Sequence, residues 1–207
     1  MNVLTRIRDY IDSQYGNPTG VLGKYIGEKM VKQHQPETYW TIDLLALNKD
    51  ESILELGCGA GFAMKLLLQK ASVRKITGLD LSETVLKLAK QRNRDELGKG
   101  IAYLVQGDVK KLPFEDQQFT RIFSIQSIYF WDHIDETIAE IYRVLKSEGK
   151  VVLTLSNGKK GVIWSGINEM IETKIIPAMQ GSGYKNIELQ KGPDSRQYHT
   201  IAIIGEK

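Results

Sequence analysis

The chain has 207 residues, of which 42% are hydrophobic and 26% are charged, the composition of an ordinary globular protein that can bury a full core. Its 28 basic and 25 acidic side chains leave a net charge of +3, which is too small to favour a nucleic-acid partner. The single cysteine excludes an intrachain disulfide, and no apolar run approaches the ~20 residues that cross a bilayer. We therefore expect a cytoplasmic protein without stable membrane association.

The first fifty residues show the three- and four-residue spacing of apolar side chains that is typical of amphipathic helices. Further helices are predicted over residues 21–32 and 37–47, the latter starting just after Pro36. The first predicted helical face, before the break at Asn17–Gly20, consists of Leu4, Ile7, Ile11 and Tyr15, and the second of Leu22, Tyr25, Ile26 and Met30.

From Ser52 onward, short apolar runs alternate with helical stretches, which indicates a parallel sheet with buried strands. The predicted strands are SILEL (52–56), KITGL (75–79), IAYLV (101–105), RIFSI (121–125) and KVVLTL (150–155). The predicted helices between them cover residues 62–70, 83–94 and 134–145.

The pattern changes again after Leu155. A helix is predicted over residues 163–176, and Pro177 disfavours its continuation. Two last strands, 186–190 and 200–204, have the spacing of an antiparallel pair at the sheet edge. Because no repeat or linker interrupts the chain, we expect one domain over residues 1–207. It consists of a helical N-terminal lid or extension (1–50), a core (51–155) and a C-terminal helix with a strand pair (156–207).

The strongest chemical signal is SILELGCGAGF, residues 52–62, in which a strand runs through three glycines into a helix. Glycines allow positive φ angles and let a ligand approach the backbone closely, while a helix start presents unpaired amides. Such a turn favours an anionic ligand group, either carboxylate or phosphate. Gly57, Gly59 and Gly61 therefore predict a ligand-binding turn.

Two acidic residues follow neighbouring strands of the predicted sheet. Asp80 ends the second strand, nineteen residues beyond Gly61, where doubly wound sheets place an acid that accepts hydrogen bonds from a ribose. The alternative, a helix cap, is less favoured because Ser82 can serve as the cap. Asp108 follows the third strand on a polar turn, so both carboxylates are expected at the carboxyl edge of the sheet.

The segments GCGAG, GLDLS, QGDVKKLPFEDQQFTRIFSIQSIYFW and YRVLKSEGKVVL together resemble class I S-adenosylmethionine-dependent methyltransferases, in their small-molecule, type 11-like branch. The resemblance covers about residues 52–155. It implies a Rossmann-like, doubly wound α/β sheet of seven strands, mostly parallel with an antiparallel last strand, plus N-terminal helices. It also implies S-adenosyl-L-methionine as cofactor and methyl transfer to a small-molecule acceptor.

The resemblance further implies roles for individual residues. The glycine loop would lie under the methionyl part of the cofactor, Asp80 would hold the ribose hydroxyls, and Asp108 would accept from the adenine amine. The full set of implied cofactor contacts is Glu55, Gly57, Cys58, Gly59, Ala60, Gly61, Asp80, Leu81, Asp108, Val109, Ile125 and Gln126.

The sequence names no certain catalytic group, because an electrophilic methyl group mainly requires an acceptor held in line. The candidates after the fourth strand are His133 and Tyr129, with Trp131 and Asp132 beside them; each could equally be pocket wall or solvated surface. Further candidates, as lid residues, are Tyr25, His34, Tyr39 and Trp40.

Other functions stay open at this stage. A nicotinamide-dependent oxidoreductase would carry G-x-G-x-x-G, whereas this chain has Gly-Cys-Gly-Ala-Gly followed by Phe62. A non-catalytic module that binds the cofactor is a second alternative, and a nucleic-acid or protein acceptor a third, although no basic stripe supports it. One cysteine and three histidines show no zinc-like spacing, so no metal is predicted. The acceptor atom and the oligomeric state are not predicted.

Overall fold

The structure, a computed structural model, describes residues 13–70 and 73–207. Most of the predicted first helix, from Leu4 onward, lies outside the described residues. The helices are α1 (Gly20–Gln33), α2 (Gln35–Leu44), α3 (Phe62–Leu67), α4 (Glu83–Arg92), α5 (Arg94–Gly98), α6 (Ile134–Val144), α7 (Ser165–Met170) and α8 (Ile176–Ser182). The strands are β1 (Glu51–Leu56), β2 (Val73–Asp80), β3 (Ala102–Gln106), β4 (Phe119–Ile125), β5 (Leu145–Lys159), β6 (Val162–Ile163), β7 (Lys185–Lys191) and β8 (Tyr198–Glu206).

The strands form one sheet in the order β3-β2-β1-β4-β5-β8-β7. Strands β1 to β5 pair in parallel, and β8 runs antiparallel between β5 and β7. This confirms the predicted doubly wound, mostly parallel α/β sheet with an antiparallel last strand. The count differs by one, because β5 extends past its predicted end and folds back through Gly161 (φ 79°) onto the two-residue strand β6.

The core lies in two layers, one on each face of the sheet. Successive residues of a strand point to opposite faces, so Ile122 packs with Ile138 and Ile141 of α6, while its neighbour Phe123 packs with Met64 of α3. All of these side chains are buried. Coverage of both faces buries every residue of β1, including its polar ones. The carboxyl ends of the parallel strands therefore meet at one edge, beneath α1 and α2.

Pro177 does not end the C-terminal helix, contrary to the prediction. Helix α7 continues through a π-helical turn, Ile171–Ile175, into α8, with Pro177 in the first turn of α8. A proline lacks the amide that an α-helix interior needs, and the wider π turn changes the hydrogen-bond register just before it. The helix ends instead at Gly183, whose φ of 97° suits glycine.

The predicted apolar face of α1 was wrong in one residue. Tyr25 is 66% exposed, and the buried face consists of Gly23, Ile26 and Gly27. A Cβ on Gly27 would lie 3.1 Å from the Val85 side chain, so the missing side chains let α1 approach α4 closely. Among the described residues, no helix combines the length and the apolar character that a membrane span requires.

Candidate functional site

The glycine loop connects β1 to α3 and is held in place by the neighbouring strand. The amides of Gly57 and Cys58 both donate to the Leu79 carbonyl at 2.8 and 3.0 Å, and the Gly61 amide donates to the Cys58 carbonyl at 2.9 Å. These three amides are therefore paired within the protein. The loop therefore contributes a fixed shape at the end of β1 and β2.

Two glycines of the loop serve different purposes. Gly59 has a φ of 51°, and a Cβ there would meet no atom within 4 Å because it would point into a cavity. Gly61, at φ 73°, faces α4 instead, where a Cβ would lie 2.9 Å from the Ala89 Cβ. Gly61 does not line the cavity, so it sets helix packing, whereas Gly59 leaves room for a ligand.

Asp80 ends β2 directly beside this loop. Its Oδ2 accepts from the Gly59 amide at 2.8 Å, and its Oδ1 accepts from the Ser82 amide at 2.9 Å. Burial raises the pKa of Asp80 above its ordinary value despite these two donors. Ser82 is the N-cap of α4, as expected, and accepts from the Val85 amide. Each carboxylate oxygen keeps a second lone pair that can accept from a ligand hydroxyl.

The cavity above the loop has a volume of about 250 Å³. The predicted cofactor contacts line it, except for Gly61, whose position is described above. Asp108 is held by a local turn, since its Oδ1 accepts from the Lys110 amide at 2.9 Å. The structure therefore brings together the glycine loop, Asp80 and Asp108, although their roles remain predictions.

Glu55 lies behind the loop with 4% of its surface exposed. Its Oε2 has no hydrogen-bond partner among the described residues. Burial, together with the nearby Asp80 carboxylate, raises the pKa of Glu55 well above its ordinary value. A buried polar atom without a partner is costly, so this oxygen is a place where a ligand cation or hydrogen-bond donor would be favoured.

Cys58, the sole cysteine, is buried and faces the same cavity. Burial raises the pKa of its thiol well above the ordinary value, with further contributions from Asp80 and Glu55. A thiolate is the reactive form of cysteine, so this site disfavours a nucleophile. Within the described residues, no group of three or more His, Cys, Asp or Glu side chains is arranged to hold a metal ion.

Helix α1 covers the cavity on the side of β2 and α4. The Ser82 hydroxyl donates to the Pro18 carbonyl just before the helix. The Arg92 guanidinium donates to both oxygens of Glu28 at 2.8 and 2.7 Å, and also to the Ala60 carbonyl of the glycine loop. These contacts tie the N-terminal cover directly to the loop.

Helix α2 covers the opposite side of the cavity, above β4 and β5. The Thr41 and Thr154 hydroxyls hydrogen-bond at 2.7 Å and so join α2 to β5. At the end of β4, Gln126 has a φ of 58° and donates through Nε2 to the Ser156 hydroxyl at 2.9 Å. The strand end and its cover therefore form one connected polar region.

The two catalytic candidates lie in different surroundings. Tyr129 does not line the cavity; its hydroxyl donates to Gln126 Oε1 at 2.8 Å, and burial raises its pKa to about 12. His133 does line the cavity, but its side chain is 51% exposed and its Nδ1 lies 3.5 Å from Glu136. Tyr129 is thus part of the strand-end network, and His133 borders the mouth.

Of the four predicted lid residues, His34 reaches the cavity, whereas Tyr25, Tyr39 and Trp40 do not line it. His34 Nδ1 lies 2.7 Å from Glu37 Oε1, and Glu37 is completely buried. The sequence analysis missed Glu37. A histidine three residues before a glutamate at a helix start was the available signal, and only burial distinguishes it from the similar His133 and Glu136 spacing.

A family model described as a methyltransferase domain matches residues 54–153, which include the glycine loop, Asp80 and Asp108. The extent of this match agrees with the predicted resemblance over about residues 52–155. This match supports a class I methyltransferase. Outside the match, residues 13–50 supply the cover over this methyltransferase's cavity, and residues 154–207 supply the last two strands of its sheet.

This methyltransferase is similar to two curated relatives, and the matched share of the relative's length differs between them. It is 28% identical over 164 residues to the uncharacterized methyltransferase YdaC of Bacillus subtilis, covering 79% of this chain and 88% of the relative. It is 32% identical over 99 residues to the phthiotriol/phenolphthiotriol dimycocerosates methyltransferase of Mycobacterium tuberculosis, covering 48% of this chain but only 35% of that relative.

Solved structures share the fold of this methyltransferase at low sequence identity. The geranyl diphosphate C-methyltransferase from Streptomyces coelicolor, in complex with Mg²⁺, geranyl diphosphate and S-adenosyl-L-homocysteine, aligns with a TM-score of 0.69 and 15% identity. The alignment covers 94% of this chain and 87% of that chain. The Rossmann-like fold extends through nearly the whole chain.

Proposed function

We propose that this methyltransferase binds S-adenosyl-L-methionine in the cavity at the carboxyl edge of the sheet and transfers its methyl group to a small-molecule acceptor. The observation that carries the proposal is the Asp80 carboxylate, whose two oxygens are fixed by the Gly59 and Ser82 amides at the mouth of the glycine loop. An acid in this position suits a ribose diol.

The donors and acceptors around the cavity fit the groups of that cofactor. Asp80 would hold the ribose hydroxyls, Asp108 and the Val109 amide would hold the adenine, and the unpartnered Glu55 Oε2 would favour the methionyl ammonium. Gly59 would leave room for the ligand against the backbone. When bound, the sulfonium supplies an electrophilic methyl group.

The residues of the chain then have to position an acceptor and exclude water. Helices α1 and α2 would exclude water. Arg92 ties α1 to the glycine loop, and Thr41 ties α2 to β5. The remaining wall, from Met30, Val31, Phe130 and Trp131, is largely apolar and suits an organic acceptor. A water-poor site strengthens the electrostatic interactions of the transfer step.

Two further observations favour a small acceptor. The site is a covered cavity, and the net charge of +3 offers little attraction to a nucleic acid. The solved neighbour holds geranyl diphosphate, and the mycobacterial relative is named for phthiotriol and phenolphthiotriol dimycocerosates. The non-catalytic module and the oxidoreductase have no specific observation in their favour.

Calorimetric titration with S-adenosylhomocysteine, run beside NAD, tests the proposal. We expect saturable binding of S-adenosylhomocysteine and no response to NAD. Asp80→Ala removes two charge-assisted acceptors, so we expect affinity to fall about 10- to 100-fold. Asp95→Ala, at an exposed carboxylate on α5, is the matched control and should bind like the wild type. Equal affinity of the two variants would overturn the ribose assignment, and NAD binding would favour the oxidoreductase.

A further inference from the structure

We propose that His34 is the general base of the methyl transfer, that Glu37 positions it, and that the acceptor attacks through a hydroxyl group on a largely apolar molecule. This inference rests on the proposed function, because it assigns the acceptor side of the same cavity. Of the predicted cofactor contacts it uses one, Gln126, to locate the methionine end of the cavity.

The geometry of the pair assigns the imidazole proton. Glu37 Oε1 lies 2.7 Å from His34 Nδ1 and is completely buried. Burial raises the pKa of Glu37, but the contact with His34 and smaller contributions outweigh it, so the pKa lies below its ordinary value. An ionised carboxylate only accepts hydrogen bonds, so Nδ1 carries the proton and the neutral ring keeps a lone pair on Nε2.

Arg196 stabilises the carboxylate rather than competing for it. Its Nη2 lies 3.8 Å from Glu37 Oε1 and 3.3 Å from His34 Nδ1, both longer than the contact between His34 and Glu37. Because a guanidinium has no acceptor, the short contact decides the direction of the bond. Both side-chain hydrogen bonds of His34 to described residues involve Nδ1, so Nε2 is available to a ligand.

His34 lies at the end of the cavity where an acceptor would reach the methyl group. It joins α1 to α2, and α2 is anchored on β5 through Thr41 and Thr154. The strand end below it carries Gln126, which the resemblance places at the methionine end of the cofactor. The adenosine end, by contrast, lies under the first half of α1, near Pro18 and Ser82. His34 therefore faces the reacting end.

The same arrangement at the mouth of the cavity is weaker. His133 and Glu136 also sit three residues apart at a helix start, but their contact is 3.5 Å and both side chains are more than half exposed. Solvent weakens such a pair and leaves the ring free to rotate. The short contact with the buried Glu37 carboxylate fixes the His34 imidazole, as a base within reach of a proton requires.

The apolar wall and the base together select the acceptor. A carboxylate or another anion can attack without losing a proton, so it would gain nothing from His34. A hydroxyl group, by contrast, must lose its proton when it attacks. As its O–H bond breaks, Nε2 takes the proton, the oxygen lone pair forms the bond to the methyl carbon, and the electron pair of the carbon–sulfur bond stays on sulfur. The imidazolium that results is held by the Glu37 carboxylate.

The experiment compares His34→Ala, Glu37→Gln, His133→Ala and His199→Ala with the wild type. His199 is a matched control, since it also pairs with a carboxylate, Asp194 at 3.0 Å, but lies outside the cavity, and its Nε2 accepts from the Gly161 amide. The acceptor probes are substituted phenols and primary alcohols, beside the matching carboxylic acids, with a labelled methyl donor. The ring-nitrogen NMR spectrum of His34 and calorimetry with S-adenosylhomocysteine need no acceptor.

We expect His34→Ala to lower turnover of phenols or alcohols about 100-fold or more, with partial rescue by added imidazole, and to change turnover of carboxylic acids less than about twofold. Glu37→Gln should lower kcat and leave KM for the phenol unchanged. His199→Ala should behave as wild type. The NMR spectrum should show a protonated Nδ1 and an unprotonated Nε2 on the neutral ring of His34.

A protonated Nε2, or a rate loss on His133→Ala in place of His34→Ala, overturns the inference. If no probe is methylated, the nitrogen spectrum alone decides. All variants should bind S-adenosylhomocysteine within about twofold of the wild type. Failure of the wild type to bind it would reject the proposed function itself, whereas binding combined with a protonated Nε2 rejects only the assignment of His34.

Discussion

At the scale of single residues, Gly59 allows the effect of a substitution on stability to be compared with its effect on ligand binding. Its φ of 51° costs a non-glycine residue about 1 kcal/mol, yet a Cβ there would meet no protein atom. Gly59→Ala should therefore lower the free energy of unfolding by about that amount while reducing affinity for S-adenosylhomocysteine about tenfold or more, because the methyl group would occupy ligand space.

Gly98 supplies the control for that substitution. It lies at the end of α5, and a Cβ there would also meet no atom within 4 Å. Gly98→Ala should leave the affinity for S-adenosylhomocysteine unchanged. Its free energy of unfolding should change by no more than about 1 kcal/mol. Urea denaturation and calorimetry on the two variants make the comparison. Affinity that is retained in Gly59→Ala would show that no ligand approaches the loop at this point.

Glu55 gives a prediction about pH. Its folded-state pKa is raised well above the unfolded value of 4.5, so the folded state holds a proton that the unfolded state releases as the pH rises above 4.5. The contribution of Glu55 to stability is therefore fully present below that value and declines as the pH rises toward its folded pKa. Glu55→Gln, which keeps the shape and cannot ionise, should stabilise the ligand-free protein at neutral pH.

Thermal unfolding of the wild type and Glu55→Gln between about pH 4 and pH 8 measures this effect. The Tm difference should grow with pH, and the variant should bind S-adenosylhomocysteine more weakly if the oxygen serves the ammonium. A Tm difference independent of pH would mean that the folded state does not shift the titration of Glu55.

The sequence predicted single residues correctly where a backbone pattern identified them. It failed where only the burial of a side chain identified them. The strand, the glycines and the acid at the next strand end predicted the meeting of Gly59 and Asp80. The pair of His34 and Glu37 was not predicted, because His133 and Glu136 have the same spacing. Packing of α2 against β5 buries Glu37 of the first pair, whereas His133 and Glu136 are both more than half exposed.

At the scale of elements, the position of α1 depends on one ion pair that also reaches the glycine loop. Arg92 joins Glu28 to the Ala60 carbonyl. Arg92→Met should lower the free energy of unfolding by about 1 kcal/mol or less, because the pair is partly exposed. Its larger effect should be several-fold faster hydrogen exchange of the α1 amides and weaker binding of S-adenosylhomocysteine.

Lys87 supplies the control on the same helix α4. It pairs with Glu83 at 2.9 Å, and both side chains are exposed to solvent. Lys87→Met should leave exchange of the α1 amides unchanged. If both variants behave alike in hydrogen exchange, α1 is held by its apolar contacts with α4 and the ion pair contributes nothing to the cover.

The elements of the sheet were predictable because each apolar run had a clear period and clear ends. The segment around Pro177 was not, since a π turn is set by packing against α6 and leaves no mark in the spacing of apolar residues. The buried face of α1 escaped prediction for a related reason. Glycines carry no hydrophobic signal, so the contact of Gly27 with Val85 is visible only once the helices are placed.

At the scale of the whole molecule, the sheet order brings the ends of β1, β2 and β4 together under a cover from the N-terminal segment. The proposed single domain makes a test possible, because the three tryptophans fall in its three parts: Trp40 in the cover, Trp131 in the core and Trp164 in the C-terminal part. Variants that keep one tryptophan each, with phenylalanine at the others, should unfold in urea at the same midpoint as the far-ultraviolet circular dichroism signal.

Two separate midpoints in that experiment would contradict the single-domain proposal and would identify which part unfolds first. An early midpoint at Trp40 alone would mean that the cover is a less stable unit which opens while the sheet stays folded. The buried contacts of α2 with β4 and β5 argue for a shared transition.

A crystal structure of the protein with S-adenosylhomocysteine tests the central claim most directly. The account predicts that the ligand lies in the cavity above the glycine loop, with its ribose hydroxyls on Asp80, its adenine beside Asp108 and its sulfur toward the end of the cavity that contains His34. A ligand bound elsewhere, or bound with its ribose away from Asp80, would contradict it.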